Sequence, residues 1–141
     1  MRFMMLVLPR GYTSAAPDTV PDPERVKQMM KYNQELLDAG VLRAMDGLEP
    51  PSAGARVTYD TGKPVVTDGP FAEAKEVVGG YWMIQVKSRD EAIEWAKRCP
   101  GSPNEVIEIR QVQEMSDFPE DVKKAAAGFD EMLSKSRQRT G

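Results

Sequence analysis

The sequence predicts an α+β fold built on a four-stranded sheet, and three observations lead to this prediction. Residues 2–8 and 77–86 are apolar at nearly every position, which is typical of central strands covered on both faces. Residues 41–45 and 105–112 mix apolar with polar side chains, as edge strands do. Segments with helical spacing of apolar residues follow the first and third strands. The order is therefore β-α-β, a hairpin, and β-α-β.

The first helix is predicted to run to about Ala39. Asp22 is a good N-cap, and Pro23 is favoured at the first helical position. Gly40 can end the helix in the left-handed conformation. The inner side of this helix is expected to carry five apolar residues, Val26, Met29, Met30, Leu36 and Leu37.

A hairpin and a second helix complete the pattern. The hairpin has its strands at residues 56–59 and 64–67, with Gly62 in the turn. Ser88 and Glu91 form a capping box that begins the second helix. Two wholly apolar strands and two mixed strands in this order predict a ferredoxin-like βαββαβ sheet of order 4-1-3-2, with the hairpin inserted.

The two helices can cover one face of this sheet, and the other face must be buried by something else. A second copy of the chain is the simplest solution, so we expect a homodimer with a ligand cleft between the subunits. Residues 1–113 form the predicted domain.

Residues 114–141 are expected to add a C-terminal helical extension. Asp117 is the predicted cap, Pro119 lies in the first turn, and residues 134–141 are predicted to be a frayed tail. A continuous apolar stripe should dock on the same subunit or across the dimer; it consists of Val122, Ala125, Ala126, Phe129, Met132 and Leu133.

Composition excludes several classes of function. The net charge of -3 does not favour nucleic acid as a partner. The chain has no histidine and one cysteine, which excludes His/Cys zinc sites and Ser-His-Asp triads. Glycine-rich phosphate loops are also absent, so we expect neither a metal nor a cofactor. Cys99, near a helix C-terminus, is expected to pack as a small apolar residue.

No apolar run is long enough to span a bilayer, which predicts a cytoplasmic protein without membrane association.

The stretch Asp68-Gly69-Pro70-Phe71, with residues 72–81 after it, resembles the name-giving motif of the DGPF proteins. These proteins belong to the YCII-related family, and the resemblance covers residues 1–113. It implies a dimeric α/β barrel in which two ferredoxin-like sheets pack face to face. The family has no established reaction, and DGPF-like genes often lie beside extracytoplasmic-function sigma factors, which implies an accessory or regulatory role as one alternative.

Other YCII proteins pair a helix histidine with an aspartate, and the resemblance places Met29 at the histidine position. A His-Asp proton relay is therefore not implied here. Asp68 is the main catalytic candidate, as a general base at a cleft, although an Asx turn is the favoured structural explanation of this residue.

The candidate ligand-binding residues are Glu76, Tyr81, Arg98, Glu108 and Arg110. Glu108 and Arg110 share one strand face, so they form either an interface salt bridge or a ligand clamp. Gly79 and Gly80 could relieve crowding at a bulge. We expect a protein that binds a small organic molecule near Asp68, either as a cofactor-free acid/base enzyme or as a non-catalytic accessory module.

Overall fold

A computed structural model describes residues 1–139 and has a four-stranded antiparallel sheet with two helices on one face. The strands are β1 Arg2–Pro9, β2 Leu42–Gly47, β3 Ala55–Thr58, β4 Val65–Asp68, β5 Gly80–Gln85 and β6 Glu105–Gln111. The helices are α1 Pro23–Asp38, α2 Arg89–Arg98, α3 Glu120–Ala125 and α4 Phe129–Arg139. The sheet order is β2-β5-β1-β6, and β3 pairs with β4 in a separate hairpin.

The predicted sheet order 4-1-3-2, in which β1, β2, β5 and β6 are strands 1 to 4, is confirmed together with the inserted hairpin. The topology is compatible with a ferredoxin-like fold. No helix among the described residues is long and apolar enough to cross a membrane.

The predicted helix ends are confirmed. The Asp22 carboxylate accepts a hydrogen bond from the Glu24 amide at 3.3 Å, which caps α1. Gly40 has a φ of 72°, the left-handed conformation that ends the helix. The Ser88 hydroxyl accepts from the Glu91 amide at 3.1 Å and caps α2. The predicted capping box is incomplete, because the Glu91 carboxylate accepts from the Lys87 amide rather than from the Ser88 amide.

The core lies between the sheet and these two helices. Its buried members are Phe3, Met5, Tyr32, Leu36, Val41, Trp82, Ile84, Val86, Ala92 and Trp95. Leu36 and Met29 face the core as predicted, but Val26, Met30 and Leu37 are 41%, 57% and 58% exposed. The prediction for these three was wrong because Tyr32 and Leu36 define the inward stripe of α1. The three lie more than a quarter turn away from Tyr32 around the helix.

Tyr32 links α1 to both the second helix and the sheet. Its hydroxyl donates to the Trp95 carbonyl at 2.6 Å. That carbonyl belongs to the last turn of α2, where the Cys99 amide bonds to the Ala96 carbonyl instead. The Tyr32 ring also meets the Trp82 ring edge to face, with centroids 5.3 Å apart. Burial raises the pKa of Tyr32, so the hydroxyl stays protonated and remains a donor.

The opposite side of the sheet, which we call the open face, carries no helix from α1 or α2. It consists of the side chains of Met4, Leu6, Ala44, Asp46, Tyr81, Met83, Glu108 and Arg110, as the strand register shows. In this single chain Met4, Leu6 and Met83 are partly exposed. The open face therefore combines an apolar centre with charged edges.

The C-terminal extension differs from the prediction in three ways. Asp117 does not cap a helix, because it lies in a short 3-10 turn where its carboxylate accepts from the Glu114 amide at 3.3 Å. The helix is divided into α3 and α4 by a turn at Gly128, whose φ is 90°, so the apolar stripe is interrupted. Residues 134–139 are helical rather than frayed. Residues 140–141, the end of the predicted tail, lie outside the described residues.

The hydrogen bond of Tyr32 generates a stability prediction. Tyr32→Phe is expected to lower the free energy of unfolding by about 1–3 kcal/mol, because the buried Trp95 carbonyl loses its donor. Tyr59→Phe is the matched control, since Tyr59 is 66% exposed and its hydroxyl makes no hydrogen bond with a described residue. Urea unfolding of both variants measures the difference. Equal stability of the two variants would contradict the role given to Tyr32.

Candidate functional site

An apolar groove with a volume of about 440 Å³ lies between α1 and the β2–β5 side of the sheet. From α1 it is lined by Arg25, Val26, Met29, Met30 and Asn33, and from the strands by Val7, Met45, Asp46, Gly47, Gly80, Tyr81 and Trp82, with Pro21 and Gly79 contributed by loops. Val26 and Met30, exposed on the surface of α1, thus form part of one concave surface. Grooves of this size and apolar character are typical small-molecule sites.

Glycines at the start of β5 let the backbones approach closely beside the groove. A Cβ on Gly80 would stand 2.9 Å from the Asp46 carbonyl oxygen, and one on Gly79 would stand 2.8 Å from a Pro9 side-chain carbon. The backbone crowding predicted at Gly79 and Gly80 is confirmed, but the bulge predicted at the same position is not. The register irregularity lies on β2, between Leu42 and Ala44.

Trp82 and Asn33 form the polar contact at the base of the groove. The indole N–H donates to Asn33 Oδ1 at 2.7 Å, which fixes the orientation of the amide. The amide nitrogen of Asn33 is then directed at the Met30 sulfur, 3.6 Å away. These contacts hold Trp82 and Asn33 in place in the groove wall.

Arg25 forms an ion pair at the edge of the groove. Its Nη2 atom donates to both carboxylate oxygens of Glu105, at 2.5 and 2.6 Å. The Ser102 hydroxyl donates to the same carboxylate at 3.0 Å. The side chains of Arg25 and Glu105 are 25% and 13% exposed, so this pair is partly desolvated and well oriented.

Asp46 and Tyr81 form a second polar pair beside the groove. The Tyr81 hydroxyl donates to Asp46 Oδ2 at 2.9 Å, and this hydrogen bond to a carboxylate raises the pKa of Tyr81. Strand alternation places both side chains on the open face, opposite Trp82 and Met45. Tyr81 and Trp82 therefore lie on opposite faces of β5.

Asp68, the main catalytic candidate from the sequence, lies outside this groove. It is the last residue of β4, pairs with Ala55, and is exposed. Its carboxylate forms no hydrogen bond with any residue between 1 and 138, and the expected Asx turn does not occur. The structure thus separates Asp68 from the groove, which Tyr81 borders although its side chain lies on the open face.

The remaining residues of the Asp68 motif have an architectural role. A Cβ on Gly69 would stand 1.7 Å from the Pro51 carbonyl oxygen, so the backbone there tolerates no side chain. The Gly69 amide donates to the Gly54 carbonyl at 2.9 Å, and the Gly69-Pro70 peptide bond is cis. The Phe71 ring lies 4.0 Å below the Arg56 guanidinium. These contacts hold the β3–β4 hairpin against the segment before it.

The other predicted site residues lie apart from one another. Glu76 is exposed in the loop that precedes β5. Arg98 stacks on the Trp95 ring at 4.5 Å, on the helical side of the molecule. Glu108 and Arg110 share the open face, as predicted, and their charged atoms are 3.6 Å apart.

Among the described residues, Cys99 and the carboxylates form no further candidate site. Burial raises the pKa of the Cys99 thiol to about 11, so the thiol is protonated at neutral pH. Cys99 packs against the core, as predicted. Within residues 1–139 no group of three or more cysteine and carboxylate side chains could hold a metal ion.

The fold and its motif agree with comparisons to known proteins. Residues 1–116 match the YCII-related domain, so the chain belongs to the YCII-related family and the predicted resemblance is confirmed. A protein of Rhizobium meliloti (strain 1021), named as uncharacterised, is 35% identical to this chain over 77 residues. The match covers 54% of this chain and 62% of that relative, which is less than two thirds of the relative's length. Helices α3 and α4 lie beyond the matched domain.

The close approach at Gly69 yields a prediction about the family motif. Gly69→Ala is expected to destabilise the chain by about 1–3 kcal/mol, because the new methyl group would overlap the Pro51 carbonyl and displace the hairpin. Gly11→Ala is the matched control, since a Cβ at Gly11 meets no atom within 4 Å. Thermal unfolding compares the two variants. A Gly69→Ala variant as stable as the control would show that the motif is not held by this contact.

Proposed function

We propose that this YCII-related protein binds a small, largely apolar organic molecule in the groove between α1 and the β2–β5 edge. The single observation that carries the proposal is the concave surface built by Trp82, Met29, Met30, Met45 and Val26. Such a surface gains free energy when an apolar molecule removes it from water, at about 25 cal/mol per Å². Trp82, held by its hydrogen bond to Asn33, supplies a rigid part of the groove wall.

Binding without turnover fits this groove better than acid/base catalysis does. Met29, at the position where the family resemblance places a histidine, lines the groove with a thioether that cannot transfer a proton. The Asp46 carboxylate and the Tyr81 hydroxyl that donates to it lie on the open face. We therefore propose a non-catalytic, ligand-binding accessory or regulatory module. Signalling linked to a sigma factor is one form of this role. A cofactor-free enzyme using Asp68 is the alternative.

We further propose that the protein works as a homodimer formed through the open face. Met4 and Leu6 lie at the centre of the sheet, on the side that α1 and α2 do not cover. Glu108 and Arg110 stand together on the same face, and a two-fold axis would set each beside its opposite charge on the partner. Phe129 and Met132 of α4, which are 48% and 68% exposed, add apolar surface for the second subunit.

The groove is tested with N-phenyl-1-naphthylamine, a neutral apolar probe that fluoresces when bound. We expect the wild-type chain to bind it and Met30→Glu to weaken binding by about tenfold or more, because a carboxylate would face the apolar probe. Leu37→Glu is the matched control: it is equally exposed on the same helix and does not line the groove. Both variants should melt like the wild type.

The same titration distinguishes the groove from a site near Asp68. Asp68→Asn is expected to leave probe binding unchanged, because the residue lies on the exposed hairpin. If Asp68→Asn abolished binding and Met30→Glu had no effect, the site would be near the hairpin and the groove proposal would be wrong.

The dimer is tested by size-exclusion chromatography with light scattering. We expect about twice 15.7 kDa for the wild-type chain at micromolar concentration. Leu6→Lys should give a monomer, because it places a charge at the centre of the proposed interface. Val20→Lys, at a loop residue that is 81% exposed, should remain dimeric. A folded, soluble wild-type monomer would refute the homodimer.

A further inference from the structure

Arg25 brings to the groove hydrogen-bond donors that its own ion pair does not use. Both bonds to Glu105 come from Nη2, at 2.5 and 2.6 Å, while Nε and Nη1 make no hydrogen bond with any residue between 1 and 139. The side chain lines the groove and is 25% exposed. A guanidinium presents its donors in a fixed fork, so the pair with Glu105 also fixes the directions of the unused N–H groups.

The other polar side chain on the α1 side of the groove is already engaged. Asn33 accepts from Trp82, and its amide nitrogen is directed at the Met30 sulfur, a weak acceptor. The rest of this side consists of Val26, Met29 and Met30. A complementary ligand therefore has an apolar body and an acceptor oxygen that reaches Arg25.

The charges around Arg25 favour a neutral acceptor over an anion. Glu105 already compensates the guanidinium at hydrogen-bond distance, and Ser102 holds that carboxylate in place. The whole chain carries a net charge of -3. A carboxylate ligand would lose its hydration and meet a cation whose charge is already neutralised, whereas a carbonyl oxygen loses much less on leaving water.

We infer that the groove selects neutral apolar molecules that bear a carbonyl-type oxygen, with Arg25 donating to that oxygen. This inference rests on the proposed binding function and specifies its ligand class. It assigns to Arg25 the recognition of the polar group and to Trp82 and the methionines the recognition of the apolar body.

The test uses three naphthalenes that share one ring system and compete with N-phenyl-1-naphthylamine on the full chain. These are 2-acetylnaphthalene, 2-ethylnaphthalene and 2-naphthoate. The acetyl compound should displace the probe at about a tenfold lower concentration than the ethyl compound, because it gains one hydrogen bond from a charged donor. The naphthoate should be weaker than the acetyl compound.

Arg25→Lys distinguishes recognition from a structural role. Lysine keeps a positive charge opposite Glu105 but lacks the Nε and Nη1 donors, so the preference for acetyl over ethyl should fall to about twofold or less. Affinity for N-phenyl-1-naphthylamine is measured for each variant first, so that the acetyl-to-ethyl preference is compared within one variant. Arg98→Lys is the control, because Arg98 is stacked on Trp95 outside the groove, and it should keep the full preference. If Arg25→Lys fails to fold, Arg25→Met with Glu105→Leu removes both charges and should show the same loss of preference.

Three results would overturn the inference while leaving the proposed function intact. They are equal displacement by the acetyl and ethyl compounds, a preference that survives in the Arg25 variants, and stronger displacement by 2-naphthoate than by 2-acetylnaphthalene. Failure of the wild-type chain to bind N-phenyl-1-naphthylamine at all would instead overturn the binding function together with this inference.

Discussion

The position of α1 depends on Tyr32. Its hydroxyl bonds to the Trp95 carbonyl of α2, and its ring meets Trp82 of β5, so one side chain joins two helices and the sheet. Asn33, the next residue, accepts from the Trp82 indole on the adjacent side of the helix. The groove exists because these contacts fix the helix: residues that face away from the core, such as Met30, then form a wall opposite the strands.

The family motif and the groove have different physical roles in this chain. Gly69 is required where the backbone meets the Pro51 carbonyl, and Phe71 lies under Arg56, so the motif holds the β3–β4 hairpin. Asp68 is exposed at the end of this hairpin, without a hydrogen bond among the described residues. A recognisable motif can therefore identify the family through its architecture, while the surface suited to a ligand lies on another part of the fold.

The open face and α4 both leave apolar side chains exposed in the single chain. Met4 and Leu6 belong to the central strand, where a residue is normally covered, yet α1 and α2 pack on the other side. Helix α4 partly spans one end of this face: Leu133 and Ser134 border the same cavity as Ala44 and Met83. Phe129 and Met132 remain exposed. The homodimer proposed above would bury both surfaces together.

Local patterns in the sequence were sufficient to predict the elements, the caps at Asp22 and Ser88, the stop at Gly40 and the sheet order, because these depend on residue periodicity and on backbone preferences. The same reasoning misplaced Asp117 as a cap and Val26 as a core residue. The stripe of an amphipathic helix that faces inward depends on the elements packed against it. Here Tyr32, and not Val26, faces inward because it contacts residues 82 and 95, which are distant in sequence. The orientation of Arg25 depends likewise on Glu105, 80 residues away. The sequence by itself determined the family and the order of its elements. The tertiary structure alone decided where a concave surface forms, because that surface is assembled from α1, β2 and β5, and a local sequence pattern does not show which distant segments come together.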